Sequence, residues 1–238
     1  MTNERIGKHF YDSSDYFDNE DTAHLNNHDS PFQRYRIQKV REIHVPGPHD
    51  RIVDLGCGWG TLGFALAPDV AEVTGVDFSE RSIAICEERL EEQPTANLRF
   101  LCADAGATGL PSDTFDLVLA ADLFEHVYPE DSERIATEAF RILSPGGRFA
   151  TWTPHRGHIL EVLKNRDIIL KRDISHVDYK SIDAMRGLLG DAGFNIERSY
   201  YVESHLPIFR ALERATQVFL PFMRRRIAVL GRKPIRGD

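Results

Sequence analysis

Three short stretches of this 238-residue chain set polar or titratable side chains where a ligand can be held or a proton moved. The first is Val53-Asp54-Leu55-Gly56-Cys57-Gly58-Trp59-Gly60. Glycines at alternate positions let the backbone turn sharply after an apolar run and approach a ligand that side chains would hold off. Asp54, just ahead of them, can accept hydrogen bonds from a cationic amino group or from the amides of the turn. The second is Asp77, which closes the apolar run Val73–Asp77 and is followed by Phe78. A carboxylate there can accept the protons of both ribose hydroxyls. The third is Asp122-Leu123-Phe124-Glu125-His126-Val127. Its two carboxylates and imidazole read either as ligands for a divalent cation, Mg²⁺ or Zn²⁺, or as a general base, His126, among ordinary polar neighbours. An imidazole titrates near neutrality when unperturbed, at about 6.5. His155, just past the run Arg148–Thr153, is the second candidate base.

These residues need elements to hold them, and the pattern from Arg51 onward alternates strand with helix. Arg51–Leu55, Val73–Asp77, Leu98–Ala103, Phe115–Ala120 and Arg148–Thr153 are short apolar runs. Helical stretches separate most of them: Thr61–Leu66, a segment capped by Ser79 and running to Leu90, and Ser132–Leu143, which Ser144-Pro145-Gly146-Gly147 ends. Such alternation implies a parallel sheet with right-handed crossovers, whose ligands bind at the carboxyl edge. An earlier helix is expected from Phe32 to Ile43. After Pro154 the rhythm changes. Residues 156–171 look helical, and Ser181 caps a helix reaching Ala192, with Gly193 at its C′ position. Phe194–Glu203 and Arg226–Arg232 read as strands. Between them Ile208, Leu212, Ala215, Phe219 and Phe222 form the apolar stripe of an amphipathic helix to Phe222, opposite Arg210, Glu213, Arg214 and Gln217. A core-facing stripe is the expectation; contact with a membrane or a lipid-like substrate is the alternative.

The glycine turn departs from the dinucleotide fingerprint G-x-G-x-x-G/A, because Thr61 stands at the third position. It resembles instead the D-x-G-x-G turn of class I S-adenosylmethionine-dependent methyltransferases. Asp77-Phe78, Asp104-Ala105, Phe115–Ala120 and Leu143-Ser144-Pro145-Gly146-Gly147 follow in that family's order over about residues 51–153. Within the superfamily the chain is most similar to the ubiquinone-biosynthesis O-methyltransferases. That likeness is carried by Asp122–Val127, by Thr153-Pro154-His155-Arg156, by the insertion ending at Ser175-His176-Val177-Asp178-Tyr179-Lys180, and by Arg36, 18 residues before Asp54.

The resemblance implies an α/β fold: a Rossmann-like, seven-stranded, mostly parallel sheet with helices on both faces and a small helical cap. Residues 1–45 would be a cap or arm. Residues 46–238 would be the methyltransferase domain, with inserted helices at about 155–180 and 206–223. The resemblance also implies S-adenosyl-L-methionine as cofactor, with its methionine end over Gly56 and Gly58 and its carboxylate on Arg36. Its amine would lie near Asp54 and the Ala121 carbonyl, its ribose on Asp77, and its adenine by Phe78, Asp104 and Ala105. A divalent cation would fall to Asp122, Glu125 and His126. Phe10, Tyr11, Tyr16, Phe17, Leu206 and Phe209 would line the pocket of a small or lipid-like acceptor. The implied reaction is O-methylation of a phenol, quinone precursor or similar metabolite. N-methylation of a metabolite or phospholipid headgroup, a nicotinamide-dependent oxidoreductase and a non-catalytic cofactor binder remain as alternatives.

Bulk composition agrees. The chain is 42% hydrophobic and 28% charged, ordinary for a globular protein with a full core. Its net charge of −8 argues against general nucleic-acid binding. From Leu206 onward, however, eight Lys/Arg meet two Asp/Glu, an asymmetry that can mark a membrane surface. Three separated cysteines point to neither a disulfide framework nor a zinc knot, and suit a cytoplasmic setting. The sequence begins without an apolar leader and holds no run long enough to cross a bilayer. The oligomeric state is open.

Overall fold

A computed structural model describes residues 6–13, 28–164, 174–204, 207–217 and 219–235. Tyr16, Phe17 and Leu206 of the expected acceptor pocket, and residues 165–173 of the expected insertion, lie outside the described residues. The strands are β1 (Arg51–Leu55), β2 (Glu72–Asp77), β3 (Leu98–Cys102), β4 (Phe115–Ala121), β5 (Leu143–Pro154), β6 (Asn195–Val202) and β7 (Arg226–Arg232). The helices are α1 (Lys8–Ser13), α2 (Pro31–Ile43), α3 (Thr61–Leu66), α4 (Glu80–Glu92), α5 (Pro129–Ile142), α6 (Ile159–Lys164), α7 (Ile182–Asp191) and α8 (Pro207–Thr216).

The seven strands form one sheet in the order β3-β2-β1-β4-β5-β7-β6. The pairs among β1–β5 are parallel, and β7 runs antiparallel between β5 and β6. The expected mostly parallel, seven-stranded sheet is thus the architecture found. Strand periodicity sorts its side chains to two faces. Ile52, Leu117, Leu119, Trp152 and Leu230 pack with Tyr35, Val40 and Ile43 of α2 and Leu62 and Leu66 of α3. Val53, Val118, Phe149 and Val229 pack with Ile135, Ala139 and Ile142 of α5 and Met185 and Leu189 of α7. Helix starts follow local chemistry. Ser30, Ser79 and Ser181 each accept a hydrogen bond from the amide three residues on, and Pro31 and Pro129 open helices whose first amides have no partner to lose.

The last quarter of the chain departs from expectation. The helix read as reaching Phe222 ends at Thr216, and Pro221, which has no amide to donate, opens a separate 3₁₀ turn. Its apolar stripe does not face the core: Ile208 is 83% and Phe219 80% exposed, while Glu213 is 1% exposed. The polar face is turned inward because it finds partners there. Glu213 accepts a hydrogen bond from the Ser204 amide and lies 3.8 Å from His158 Nε2 and 3.9 Å from Arg225 Nη1.

Gly60, the left-handed N-cap of α3 (φ +75°), shows how closely the turn is built against the sheet. A Cβ there would stand 2.6 Å from Phe100 Cζ. Gly60→Ala combines backbone strain with this clash, so it should lower unfolding free energy by about 1–3 kcal/mol, and Phe100→Leu should recover part of the loss. Denaturant unfolding of the single and double variants checks this; equal midpoints for wild type and Gly60→Ala would contradict it.

Candidate functional site

The carboxyl ends of β1–β5 lie along one edge, joined there by the start of the antiparallel β7. Asp54, Gly56, Gly58, Asp77, Phe78, Asp104, Ala105, Ala121, Asp122, Glu125, His126 and His155 sit on or just beyond that edge, and α2 brings Arg36 to it from the N-terminal side of the chain.

Asp54 is the last but one residue of β1 and is 1% exposed. Neither carboxylate oxygen has a hydrogen-bond partner. Burial raises its pKa to about 7, with Arg36 opposing and Asp77 adding to the rise. An unbonded buried carboxylate is costly unless a ligand supplies the missing cation or donors. Above it, the Gly56 and Cys57 amides donate to the Val76 carbonyl at 2.8 and 3.0 Å, which folds the turn back over β2. Gly58 (φ +53°) has nothing within 4 Å of where a Cβ would stand, so the turn borders open space.

Asp77 locks the turn to β2. Its Oδ2 accepts from the Gly58 amide and its Oδ1 from the Ser79 amide, each at 2.9 Å. Burial raises its pKa to about 6, against the pull of those two amides. Phe78 is half-buried beneath the Tyr11 ring, with centroids 5.4 Å apart. Tyr11 belongs to α1, which Asp12 fastens by accepting from Ser79 Oγ at 2.8 Å. Asp104 is exposed and engaged: its Oδ1 accepts from the Gly106 amide at 2.7 Å and its Oδ2 pairs with Arg134 at 2.6 Å. Ala105 is half-buried in the same turn.

Arg36, Ala121 and Asp122 form one charged knot. Arg36 is buried, and it donates from Nε to Asp122 Oδ2 at 3.0 Å and from Nη2 to the Ala121 carbonyl at 2.8 Å. Its Nη1 donates to no described residue. Asp122, at φ +57°, occupies the left-handed region that Asp tolerates better than most residues. Its other oxygen is held by Arg226, whose guanidinium lies 3.9 Å over the Trp152 ring. Burial pushes the Asp122 carboxyl up, but Arg226 and Arg36 outweigh it and hold the pKa below the usual carboxylate value.

The cation-ligand set read from the sequence is therefore rearranged. Both Asp122 oxygens are taken by arginines. The trio whose ligand atoms lie within 4.8 Å of one another is Glu125, His126 and His176. Glu125 is 1% exposed and accepts from Thr153 Oγ1 at 2.8 Å. Burial, then the Asp122 charge, pushes its pKa well above the ordinary glutamate value. Its carbonyl accepts the Val177 and Asp178 amides at 2.8 and 3.3 Å, which fastens the end of the insertion to the loop after β4. His126 Nδ1 lies 3.3 Å from the Ser175 carbonyl and 3.2 Å from Tyr11 Oη. A carbonyl can only accept, so this pairing puts the proton on Nδ1 and the basic lone pair on Nε2. The His176 ring stands edge-on to His126, with centroids 4.7 Å apart, and its Nδ1 is 2.7 Å from Tyr179 Oη. His155 faces other groups, with Nδ1 3.1 Å from the Arg224 carbonyl and its ring against Tyr201; burial lowers its pKa.

Sequence reading passed over His176, although it lies inside the quoted stretch Ser175–Lys180. Nothing local ties it to His126, 50 positions earlier. Arg226 was taken only as the start of a strand.

Residues 52–147 match a family described as a methyltransferase domain. A ubiquinone biosynthesis O-methyltransferase of Coxiella burnetii is 34% identical over 116 residues, which is 49% of this chain and 47% of that protein. The chain thus spans about half the length of the curated relatives it matches. Among solved structures, phosphoethanolamine N-methyltransferase 2 of Haemonchus contortus, in complex with S-adenosyl-L-methionine, superposes with TM-score 0.71 at 18% identity over 96% of this chain and 60% of that one. The [4+2]-cyclase SpnF gives TM-score 0.67 at 19% identity over 88% and 85%. At such identities the likeness is one of fold.

The raised pKa of Asp54 sets a sign on stability. Between an unfolded value of 3.8 and a folded value of about 7, the folded state binds more protons, so stability falls as pH rises through that window. Ligand-free protein should lose melting temperature from pH about 4 to 7. Asp54→Asn should flatten much of that slope and melt higher at pH about 8, leaving the smaller contribution of Asp77. A variant that melts below wild type at alkaline pH would refute this reading of Asp54.

Proposed function

We propose that the chain, whose residues 52–147 match a methyltransferase domain, is a class I S-adenosylmethionine-dependent methyltransferase that transfers the methyl group of S-adenosylmethionine to a hydroxyl of a small organic acceptor. Asp54 carries the reading: a buried carboxylate with two unbonded oxygens, under a glycine turn that borders open space, suits a ligand bearing an ammonium and a sulfonium. The same carboxylate, with Asp77 beside it, would repel the pyrophosphate of a dinucleotide.

On this reading Asp54 receives the cofactor amine, the unused nitrogen of Arg36 its carboxylate, and the remaining lone pairs of Asp77 its ribose hydroxyls. Phe78 and the Asp104-Ala105 turn border the adenine. The Ala121 carbonyl, already bonded to Arg36, keeps a second lone pair for the amine. Bound there, the cofactor supplies an electrophilic methyl group on sulfur. What remains for the protein is to hold the acceptor oxygen in line and take its proton. His126 Nε2 is the base in this scheme, with Nδ1 steadied by Ser175 and the ring boxed by Tyr11 and His176. His155, turned toward Tyr201, would border the acceptor. Residues 1–45, the insertion at about 155–180 and the segment about 206–223 would wall the acceptor pocket around the domain of residues 46–238.

Two observations favour oxygen as the acceptor atom. The matched Coxiella relative is an O-methyltransferase by name. An imidazole poised as a base is also needed for a hydroxyl, whereas a neutral amine brings its own lone pair. The Glu125–His126–His176 trio could instead carry a divalent cation. Two imidazoles with one carboxylate suit Zn²⁺ better than Mg²⁺.

Labelled methyl transfer to a panel of phenols and ethanolamine-type amines tests the proposal. Label should enter the phenols. Asp77→Ala should weaken cofactor binding by about tenfold or more, whereas His126→Ala should cut turnover by about a hundredfold with cofactor affinity nearly intact. Label only in the amines would reject oxygen as acceptor, and a fully active His126→Ala would remove His126 from the chemistry.

A second test varies pH and metal. Cofactor affinity should strengthen from pH about 5.5 to 7 as Asp54 ionises, and Asp54→Asn should lose most of that dependence. Turnover should persist in excess chelator if His126 acts as the base. Loss restored by Zn²⁺ would make His126 a metal ligand instead.

A further inference from the structure

β7 runs antiparallel to both its neighbours, β5 and β6. Its start therefore lies at the edge where β1–β5 end, so the first residue of this strand can reach the site. Arg226 is that residue. It closes the run Arg224-Arg225-Arg226, whose three guanidiniums go separate ways. Arg224 lies 4.6 Å over the Tyr201 ring, and Arg225 Nη1 is 3.3 Å from Ser204 Oγ. Arg226 turns to Asp122.

The side chains of Arg36, Asp122 and Arg226 are mostly buried. Two guanidiniums against one carboxylate leave this knot with one positive charge, little screened by water. Asp122 divides its oxygens: Oδ2 accepts from Arg36 Nε at 3.0 Å, and Oδ1 accepts from Arg226. Left to itself, an arginine beside a carboxylate takes both oxygens with two parallel nitrogens. Arg36 does not, because one of those oxygens is already held. Its Nη2 goes instead to the Ala121 carbonyl at 2.8 Å, and its Nη1 donates to no described residue. Arg226 is fixed in turn by rings. Its guanidinium lies 3.9 Å over Trp152 of β5 and 5.8 Å from Phe32 of α2, the helix that carries Arg36.

We propose that Arg226 is a positioning residue for the amino-acid end of the cofactor: by holding one oxygen of Asp122 it keeps Arg36 from closing on that acid and keeps the knot cationic, so that Arg36 takes the ligand carboxylate. The inference rests on S-adenosylmethionine as the ligand of the glycine turn. Without Arg226, Asp122 would be left to Arg36. The guanidinium would turn to grip both oxygens, and the knot would become neutral. Both changes weaken the hold on a carboxylate, and neither touches the contacts assigned to the ribose and adenine.

Two nucleoside thioethers separate the ends of the ligand. S-adenosylhomocysteine carries the amino-acid chain, and 5′-methylthioadenosine has a methyl group in its place. Their affinities for the full-length protein would be measured by titration calorimetry, with circular dichroism as the check on folding. Arg226→Gln should weaken S-adenosylhomocysteine binding by about tenfold and leave methylthioadenosine within about twofold of wild type. Arg226→Lys keeps the charge but loses the planar fork, so its loss should be smaller and confined to the same ligand. That variant also carries the test if Arg226→Gln, which strips a counterion from a buried acid, does not fold. Arg224→Gln, on the Tyr201 side, should match wild type for both ligands. Equal losses of the two ligands would make Arg226 a structural residue and overturn the proposal. Unchanged S-adenosylhomocysteine affinity, or a matching loss in Arg224→Gln, would overturn it as well. Wild type that binds neither nucleoside would reject the cofactor reading, and this proposal with it.

Discussion

One constraint organises the site: the Asp54 carboxylate is held in the middle of the sheet with nothing to bond. β1 is flanked by β2 and β4, so its backbone is used in the ladders and water is kept out. The nearest cation, Arg36, is drawn away from it. Asp122 and the Ala121 carbonyl hold two of that guanidinium's nitrogens, and Asp122 is held in turn by Arg226. Had Arg36 closed on Asp54, the carboxylate would be satisfied and the glycine turn would have no deficit to offer a ligand. The second acid thus keeps the first one unsatisfied, at a cost in stability recovered when a cation arrives. This is the trade expected where function and stability compete for the same residue.

The sheet was legible because its signals are local. β1 and β7 were read to the residue, as was α3, since five- to seven-residue apolar runs bounded by turns carry their own limits. β5 was read from Arg148 but starts at Leu143. The four residues between are looped out where pairing jumps from Phe115–Leu143 to Leu117–Arg148, and a Pro-Gly-Gly turn gives no sign that the strand has begun before it. The glycine turn, Asp54 and Asp77 were equally readable, because one short segment fixes each place.

What escaped the sequence depends on partners far along the chain. His176 joins His126 because the Glu125 carbonyl captures the amides of Val177 and Asp178, a contact written in backbone geometry rather than in side-chain type. The Asp122 carboxylate looked like a metal ligand by its spacing from Glu125 and His126. Its real partners come from α2 and β7, and no periodicity links those to the loop after β4. The orientation of α8 failed for a related reason. Amphipathic spacing says that one side of a helix differs from the other, not which side meets the protein. Here the decision rests on Ser204, His158 and Arg225, which give a buried glutamate enough partners for the polar side to turn inward.

Those contacts also join features that lie apart in sequence. The insertion after β5 begins at His155, and its first helix follows His158, which touches Glu213 of α8. Its far end, at Val177 and Asp178, is fastened to Glu125 beside His126. A single excursion of the chain therefore reaches from the inward face of the exposed helix to the acid–imidazole cluster. Two separate sets of contacts thus fix the two ends of the insertion: Glu213, which turns the polar side of α8 inward, meets His158 at its start, and the Glu125 carbonyl holds Val177 and Asp178 at its end, beside His126.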